Sequence, residues 1–557
     1  MATVNQTDVL VIGAGPCGMA LANLLAVYGT RTIVIDRELQ IIDYPRAVGI
    51  DDESLRTCQA IGVVDDVLHD TLQNTPIRYY TSWGRCFAHV KPAAKPFGWP
   101  RRNLFLQPLL EQSLRRGAAR RPLLDLRLGH ELVSLQQDTD GITAEVRRPD
   151  GSTAQVTAAY AVGCDGGRST VRDLVGVQLE GTTYPVKWLV VDVQNDQMDA
   201  PYSAVYCDSQ SPTLMVPLPY RHRRFEFQLR PGDDEEAVVQ PELVRTLLAG
   251  RYGDTPLPDV VRARVYLHHA RVASTFRTGR VLLAGDAAHL QPPFFGQGMN
   301  SGMRDVTNLA WKLAAVVRGV AGEQIVATYD TERRPHAAEM VGFATRMGRM
   351  YKPRTRLTER FRDLAFRAVQ LVPGGRDYIL QQKYKPMPRY TAGVLAGVVP
   401  DSKTDPVGRM FMQPDVVADG ARMKLDDAIG PWFAVLCVGT TPAGLDAAAL
   451  AWWRSIGASV VHVVSSCARP LAAASVSAAA ADDGGDGGDG GDGGAAAIED
   501  VDGAFRDWRL SRPADEVIVL RPDRYVAATC SVAGFPATTA ALRVTLGTPP
   551  PSPTVAS

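Results

Sequence analysis

Short apolar runs separated by glycine-rich turns characterise the first part of the chain. Residues 8–13 form such a run and lead into a glycine cluster, residues 17–28 have helical character, and residues 32–36 form a second apolar run. A strand, a tight turn, a helix and another strand within about 30 residues make a βαβ unit, with Gly29 placed to end the helix. The pattern therefore predicts a parallel sheet with a helix packed on it.

Alternating apolar and polar positions dominate the middle of the chain. Residues 131–147 and 153–162 alternate with the period of a half-buried strand, which predicts antiparallel strands, and residues 183–271 are strand-like over most of their length. A further glycine-rich junction covers residues 280–300. Apolar residues recur at helical spacing after this junction, which predicts a long helix that ends near Gly319.

These patterns divide the chain into segments that we expect to be domains or parts of domains. Residues 1–182 and 272–398 are expected to form the two parts of a nucleotide-binding α/β domain, and residues 183–271 a β-sheet domain between them. Residues 399–557 have short apolar runs between Ala-rich stretches, which indicates a separate α/β domain. Within it, residues 472–497 consist mostly of Ala, Gly and Asp, so we expect a disordered insertion with nothing to bury.

Composition limits the class of protein. The chain has 45% apolar and 22% charged residues, and 60 basic side chains balance 60 acidic ones, so no net field favours nucleic acid or an anionic membrane. No apolar run approaches the roughly 20 residues of a membrane span. The eight cysteines are scattered, without metal-ligand spacing, and the first strand leaves no room for a signal peptide. We therefore expect a cytoplasmic enzyme that binds no metal.

The first glycine cluster has the features of a dinucleotide-binding turn. It follows a strand and opens a helix, and Asp36 ends the next strand, 18 residues beyond Gly18. Gly13 permits the turn, Gly15 admits a pyrophosphate, and the helix N-terminus supplies free N–H groups. Asp36, with Arg37 beside it, is placed to contact an adenosine ribose. The predicted binding residues of this turn are Gly13, Ala14, Gly15, Pro16, Cys17 and Gly18.

The junction at residues 280–300 resembles the second flavin motif of the aromatic-ring flavin monooxygenases typified by p-hydroxybenzoate hydroxylase and phenol hydroxylase. That motif is Gly-Asp after a strand, then a Pro, a GxG and an Asn that opens a long helix. The matching residues are Gly285, Asp286, Pro293, Gly296, Gly298, Met299 and Asn300. The resemblance implies non-covalent FAD, with Asp286 at its ribityl chain and the helix N-terminus at the pyrimidine edge of the flavin ring.

Further positions match the same family. Asp165 and Gly166 fit its Asp-Gly motif, which implies contact with FAD and with a transiently bound nicotinamide; Gln107 is carried over as a flavin contact. Arg46, followed by Ala, matches the arginine that helps the flavin move between its positions, and is predicted to act in catalysis. His289 is a second catalytic candidate, although a histidine in a Gly-Asp-Ala-Ala-His run is more often structural.

The resemblance implies a fold, a reaction and partners. The fold is α/β, with a Rossmann-like FAD-binding domain of p-hydroxybenzoate hydroxylase type, a β-sheet substrate domain and a C-terminal thioredoxin-like domain. Segments such as residues 42–57 and 280–314 resemble more narrowly the bacterial hydroxylases of hydroxyphenylpropanoid acids. This implies that NADH and O₂ are consumed to hydroxylate 3-(3-hydroxyphenyl)propionate and 3-hydroxycinnamate ortho to the phenol, in aromatic catabolism.

Several questions stay open at this point. Another phenolic substrate, a flavin oxidase or dehydrogenase, and a binding module without catalysis are the alternatives, and self-association is not decided. The carboxylate of the substrate needs a cation, for which Arg221, Arg223 and Arg224 are candidates beside the alternative of a solvated charge run. No acceptor for the phenol can be named. The C-terminal domain lacks two thiols at redox spacing, so packing or subunit contact is its expected role.

Overall fold

The computed structural model describes residues 5–351, 355–397, 399, 402, 404–465, 496–510, 512–513 and 515–547. The chain divides into two compact units, Met1–Gly393 and Val394–Ser557. Most of the predicted insertion, residues 472–495, lies outside the described residues, and its last two positions begin a strand, Ala496–Asp500. Among the described helices none is both long and apolar enough to cross a membrane.

The first unit contains 19 strands and 11 helices within its described residues. The strands are β1 Gln6–Ile12, β2 Thr32–Asp36, β3 Gly49–Ile50, β4 Thr71–Leu72, β5 Ile77–Tyr80, β6 Cys86–Val90, β7 Asn103–Phe105, β8 Leu124–Leu128, β9 Glu131–Gln137, β10 Ile142–Arg147, β11 Thr153–Gly163, β12 Leu179–Gln194, β13 Ser203–Tyr206, β14 Thr213–Leu218, β15 His222–Gln228, β16 Asp259–Ala273, β17 Arg277–Thr278, β18 Val281–Leu283 and β19 His289–Leu290. The helices are α1 Pro16–Val27, α2 Asp52–Ile61, α3 Val64–His69, α4 Gln107–Ala119, α5 Thr170–Leu174, α6 Glu235–Val238, α7 Pro241–Tyr252, α8 Gly298–Val317, α9 Gln324–Tyr351, α10 Arg356–Leu371 and α11 Gly375–Leu380.

A parallel sheet forms the centre of the nucleotide-binding part. Strands β18, β11, β1, β2 and β8 lie side by side in that order, each parallel to the next, and β9 and β10 extend the sheet from β11. The inner strands are buried on both faces, which is why they are continuous apolar runs. The βαβ unit predicted from residues 8–36 is confirmed, and with it the Rossmann-like α/β fold of this part.

A second sheet, mainly antiparallel, has the order β19-β16-β12-β15-β14-β13-β5-β6. Residues 183–271 supply most of it, as the alternating pattern predicts. Three strands come from outside that range, because β5 pairs in parallel with β13 and β19 pairs with β16. The range also contains α6 and α7, which the strand-like reading missed; Val244, Leu248 and Tyr252 repeat at helical spacing on the buried side of α7.

The two faces of this second sheet have different environments. One face packs against α6 and α7 through a cluster that includes Val191, Met215 and Phe225. Side chains alternate between faces along a strand, so Val190 and Glu226 lie on the opposite face. That face borders the cavity described below.

Helices α8 and α9 share a buried ion pair. Lys312 Nζ lies 2.8 Å from Glu332 Oε2, and both side chains are fully buried. Asn308 accepts from Lys312 and donates to Glu332, so the pair is enclosed by hydrogen bonds. The helix predicted after the glycine-rich junction at residues 280–300 is confirmed as α8.

The second unit has one seven-stranded sheet in its described residues. Its strands are β20 Asp415–Ala418, β21 Ala421–Lys424, β22 Ala434–Val438, β23 Ser459–Ser465, β24 Ala496–Asp500, β25 Glu516–Leu520 and β26 Val526–Ser531; its helices are α12 Leu425–Ile429, α13 Ala447–Ser455, α14 Ala504–Arg509 and α15 Phe535–Leu546. β22 and β23 are parallel and connected through α13, while β25 and β26 are antiparallel and lead into α15. This is the thioredoxin-like arrangement that was predicted.

Replacing Lys312 by Met should destabilise the first unit. Glu332 would then be buried beside an apolar group, which typically costs about 3–5 kcal/mol, whereas replacing both partners by apolar residues is often neutral. We expect a large fall in Tm for Lys312→Met and recovery of most of it in the double variant Lys312→Met/Glu332→Leu. Thermal unfolding of the three proteins tests this, and a single variant as stable as wild type would contradict it.

Candidate active site

A cavity of about 1280 Å³ lies between three glycine-rich junctions and the open face of the second sheet. In chain order the first junction is residues 13–18, the second is residues 165–167 and the third is residues 280–300. Its size exceeds that of most small-molecule sites, which suits an extended ligand together with a smaller one. Most predicted site residues line it: Gly13, Ala14, Gly15, Pro16, Cys17, Asp36, Arg37, Arg46, Gln107, Asp165, Gly166, Asp286, Pro293, Gly296, Gly298, Met299 and Asn300. Gly18, Gly285 and His289 are not part of the lining.

The glycines of the first junction serve two different steric purposes. A Cβ at Gly18 would overlap the carbonyl oxygen of Gly13, and a Cβ at Gly13, where φ is +105°, would overlap that of Cys164. A Cβ at Gly15 would meet nothing within 4 Å. Gly13 and Gly18 therefore allow backbone packing, whereas Gly15 leaves open space beside the N-terminus of α1, where a pyrophosphate fits.

The acidic residue at the end of β2 closes the first junction. Asp36 Oδ2 accepts a hydrogen bond from Ala14 N at 2.6 Å, and Oδ1 accepts one from Glu38 N at 2.8 Å. Each carboxylate oxygen can accept a second hydrogen bond, and Asp36 lines the cavity. The residue can therefore hold the turn and still accept from ribose hydroxyls.

The third junction brings the N-terminus of α8 to the cavity. Gln297 precedes α8 and provides no side-chain cap, so N–H groups in its first turn remain available to an anionic ligand. The Asn300 side chain does not point to such a ligand. Its Nδ2 donates to the carbonyls of Gly49 and Gly296, and its Oδ1 accepts from Asp51 N at 3.0 Å. Asn300 thus joins the helix start to the segment after β3.

The second junction is held by a carboxylate. Asp165 accepts from Ser169 Oγ at 2.5 Å and from Val171 N at 3.0 Å, while Ser169 caps α5. Burial raises the pKa of Asp165 above its ordinary value. Gly166 has φ +82° and open space on its Cβ side, so the backbone there can approach a ligand closely.

The loop that carries Arg46 is held at three points. Arg46 Nη2 lies 3.6 Å from Asp286 Oδ2, and Gln107 Oε1 accepts from Ala47 N at 2.7 Å. Arg224 donates to the carbonyl of Arg46 at 2.8 Å and also to that of Pro45. The predicted flavin contacts Arg46, Gln107 and Asp286 are therefore brought together.

The three candidate arginines of the middle segment have separate environments. Arg221 is exposed at the turn before β15. Arg223 faces the helix side of the sheet and pairs with Asp196 at 2.7 Å. Arg224 alone of the three lines the cavity, and it is paired with Asp192 at 2.7 Å. Only Arg221 fits the interpretation of a solvated charge run. Because side chains alternate between the two faces of a strand, Arg223 and Arg224 lie on opposite faces of the sheet.

A buried cluster of charges, which sequence reasoning missed, adjoins the cavity. Arg304 pairs with Glu53 at 2.7 Å and also with Asp51, and Lys385 lies 2.9 Å from Asp51. Burial alone would raise the pKa of Asp51, but Arg304 and Lys385 outweigh it and hold that pKa well below its ordinary value. The run of acids after Arg46 was visible in the sequence, but its cationic partners lie about 250 and 330 residues away.

Asp52 is the exception within this cluster. Its Oδ2 is buried without a hydrogen-bond partner among the described residues, and Arg101 Nε is 3.8 Å away. Burial, reinforced by Asp51 and Glu53, raises the pKa of Asp52 to about 7. The three carboxylates lie close enough together to hold a metal ion, but Arg304 and Lys385 already neutralise two of them.

His289 is fully buried and does not border the cavity. Its Nε2 lies 2.7 Å from Asp305 Oδ2, and Arg333 Nε lies 2.9 Å from Asp305 Oδ1. Asp305 also accepts from Gly285 N at 3.1 Å, which ties the Gly-Asp turn to α8. The geometry therefore favours the structural interpretation of His289 over catalysis, since a buried imidazole in this network cannot reach a ligand.

Comparisons with known proteins agree with this geometry. Residues 6–344 match the FAD binding domain family and residues 408–545 match the HcaD C-terminal domain family. The chain is 46% identical over 541 residues to a 3-(3-hydroxy-phenyl)propionate/3-hydroxycinnamic acid hydroxylase of Burkholderia cenocepacia (strain HI2424), covering 97% of this chain and 96% of that protein. It is 41% identical over 552 residues to a protein of the same name from Mycobacterium avium (strain 104), covering 97% and 92%.

Solved structures show the same fold. The flavin-dependent monooxygenase PieE, in complex with FAD and substrate, aligns with a TM-score of 0.79 at 22% identity over 98% of this chain and 99% of its own. The OxyS anhydrotetracycline hydroxylase from Streptomyces rimosus aligns with a TM-score of 0.73 at 26% identity over 98% and 100%.

Two glycine substitutions in the first junction should fail for different reasons. Gly15→Val places its side chain in open space, so the protein should fold with a near-normal Tm without ligand but lose FAD. Gly18→Val, the control, forces backbones apart and should lower the Tm itself. Flavin content and thermal unfolding of the apo-proteins separate the two effects; full flavin occupancy in Gly15→Val would contradict the assignment.

Asp52 should make stability depend on pH near neutrality. A carboxyl whose folded-state pKa is raised to about 7 contributes stability below its unfolded pKa, and loses it as pH rises through about 7. Asp52→Asn should therefore match wild type near pH 4 and exceed its Tm near pH 8. Asp51→Asn, whose lost charge leaves cations uncompensated, should be less stable at both pH values. A Tm difference for Asp52→Asn that does not change with pH would exclude this.

Proposed function

The chain belongs to the FAD-dependent aromatic-ring monooxygenases, and from that premise we propose that it hydroxylates 3-(3-hydroxyphenyl)propionate and 3-hydroxycinnamate. The observation that carries the proposal is a single cavity with glycine junctions on one side and a mainly apolar sheet face on the other. The names of the relatives supply the substrate class. The reaction consumes the phenol, O₂ and NADH with one proton, and yields the 2,3-dihydroxy product, NAD⁺ and water.

The cofactor is held by residues of the three junctions. The α1 N-terminus with Gly15 would receive the pyrophosphate, Asp36 and Arg37 would contact the ribose, and Asp286 would contact the ribityl chain; all of these residues line the cavity. Bound FAD supplies the hydride acceptance and oxygen activation that no side chain can perform. The open space at Gly15, Gly166 and Gly296, where added Cβ atoms would meet nothing, supports this placement.

The α8 N-terminus and the Arg46 loop act at the flavin ring. Free N–H groups at the start of α8 favour negative charge on a reduced flavin by roughly 0.3–1 kcal/mol. Arg46 is half-exposed and lies between the loop and Asp286. Its side chain is bound less firmly than its backbone, which Arg224 holds, and this supports a role in flavin position rather than in flavin affinity.

The open face of the second sheet receives the aromatic ring. Val190, Val205, Leu214 and Val216 line this part of the cavity, together with Phe294. An apolar wall excludes water from the reacting atoms and limits loss of the activated oxygen as peroxide. Arg102 lines the same cavity and offers positive charge to a carboxylate, whereas Arg101 and Lys385 also line it but face Asp52 and Asp51.

We also propose that the protein acts in the cytoplasm. All seven cysteines in the described part of the chain are free thiols, which is typical of the reducing cytoplasm.

Coupled turnover tests the function. The yellow holoprotein should oxidise NADH faster when 3-(3-hydroxyphenyl)propionate is added, and should form one equivalent of the 2,3-dihydroxy product per NADH. Phenylpropionate without the hydroxyl should yield mainly hydrogen peroxide, because an unactivated ring does not attack an electrophilic oxygen. Phenol, which lacks the carboxylate, should turn over poorly, since correct orientation is lost.

Three results would contradict the proposal at different levels. Efficient hydroxylation of phenol would contradict the proposed substrate. Turnover with NADPH but not with NADH would contradict the proposed nicotinamide. Peroxide as the main product with every phenolic acid would favour a flavin oxidase of the same fold.

A further inference from the structure

The wall that faces the ring contains one acidic side chain. Glu226 lies on β15, is 7% exposed, and lines the cavity. Its neighbours across the sheet are Val190 on β12 and Leu214 on β14, both of which also line the cavity. A carboxylate is thus flanked across the sheet by two apolar side chains that line the cavity.

Glu226 has no hydrogen bond or ion pair within the described part of the chain. Arg224, two residues earlier on the same face, is occupied by Asp192 and by the carbonyls of Pro45 and Arg46. It attracts Glu226 electrostatically but does not bind it, and burial raises the pKa of the Glu226 carboxyl. A buried acceptor without a donor is costly, and the cost is relieved when a ligand provides one.

The imidazole of His268, on the same wall, is a weaker acceptor of protons than a carboxylate. His268 lines the cavity, stacks on Trp188 with ring centroids 5.6 Å apart, and meets Phe294 edge-on at 5.2 Å. Burial lowers the pKa of His268 to about 4, so its imidazole is neutral and binds a proton poorly. We interpret His268 as part of the aromatic wall.

Charge along the wall also sets the direction of the ligand. Arg102 donates to Ser203 Oγ at 3.0 Å, on β13, two strands from Glu226. Two strand spacings are roughly 10 Å, comparable to the length of a hydroxyphenylpropionate. A ligand carboxylate is attracted to the Arg102 end and repelled by Glu226, which leaves the phenol end beside Glu226.

We propose that Glu226 accepts a hydrogen bond from the phenolic hydroxyl of the substrate and takes its proton as the ring is hydroxylated. This inference rests on the proposed function. The phenol O–H bond breaks, its electron pair stays on the oxygen and flows into the ring, and the proton forms a new O–H bond on Glu226. The ring gains one oxygen atom from O₂, and the other leaves as water with electrons from NADH. The C–H bond at the hydroxylated carbon then breaks, its proton leaves as aromaticity is restored, and Glu226 returns its proton to the phenolic oxygen. Glu226 is thus a catalytic residue that also selects phenols.

Binding of two ligands to the holoenzyme and its variants tests this without turnover. Dissociation constants for 3-(3-hydroxyphenyl)propionate and 3-phenylpropionate are measured from the change in flavin absorbance, in the absence of NADH. Wild type should prefer the phenol by roughly tenfold to a hundredfold, as expected for a hydrogen bond to a charged group. Glu226→Leu should lose or reverse this preference, while the control His268→Asn should retain it.

Glu226→Gln provides the second measurement and covers a failure of the leucine variant to fold. It keeps the size and an acceptor oxygen but cannot take the proton, so product formation should fall by roughly 10²–10⁴-fold while the ligand still stimulates NADH oxidation. Retained product yield in this variant would overturn the assignment.

The outcomes separate the residue from the function. Equal preference for the phenol in wild type and Glu226→Leu, or its loss in His268→Asn alone, would overturn the role of Glu226 even if the enzyme hydroxylates the phenol. A preference that depends on Glu226 in a protein that forms no hydroxylated product would instead overturn the proposed function and support the binding role.

Discussion

The close approach of backbones at the glycine junctions is the constraint on which the rest of the first unit depends. The turn after β1 touches the end of β11, and the start of α8 touches Cys17 at the start of α1. Gly13, Gly18 and Gly302 stand where added Cβ atoms would overlap neighbouring atoms. Only because these segments meet so closely do the N-termini of α1 and α8 border one cavity.

Charged side chains then fix the segments that glycine packing leaves free. Asp305 links the Gly-Asp turn to α8 and α9 through Gly285, His289 and Arg333. Arg304 and Lys385 hold the acidic run after β3. Each network is buried, so removal of one charged side chain destabilises the protein far more than the net contribution of the whole network to stability suggests. The loop with Arg46 is held mostly through its backbone, whereas the exposed Arg46 side chain pairs with Asp286 at 3.6 Å.

Features that depend on residues close together in the sequence could be predicted from it. The βαβ unit, the three junctions and α8 depend on local periodicity and on glycines at fixed spacing, and all were found where predicted. Pairings between distant segments were not predictable. Lys385 meets Asp51 across more than 300 residues, and β5 joins β13 although a long stretch of chain separates them. Whether Arg223 or Arg224 faces the cavity depends on which alternate side chains of β15 point to that side, and composition does not reveal this.

The second sheet is assembled from three separate stretches of the chain, and this bears on how such enzymes can be recombined. Its strands β5 and β6 precede the main segment by about 100 residues, and β19 follows it within the Gly-Asp junction itself. A segment exchanged between relatives at residues 183–271 would therefore carry only part of the sheet face that borders the cavity, and its strands β13 and β16 would have to pair with β5 and β19 of the recipient. Single substitutions on this face leave those strand pairings intact, whereas the exchange of a contiguous segment does not.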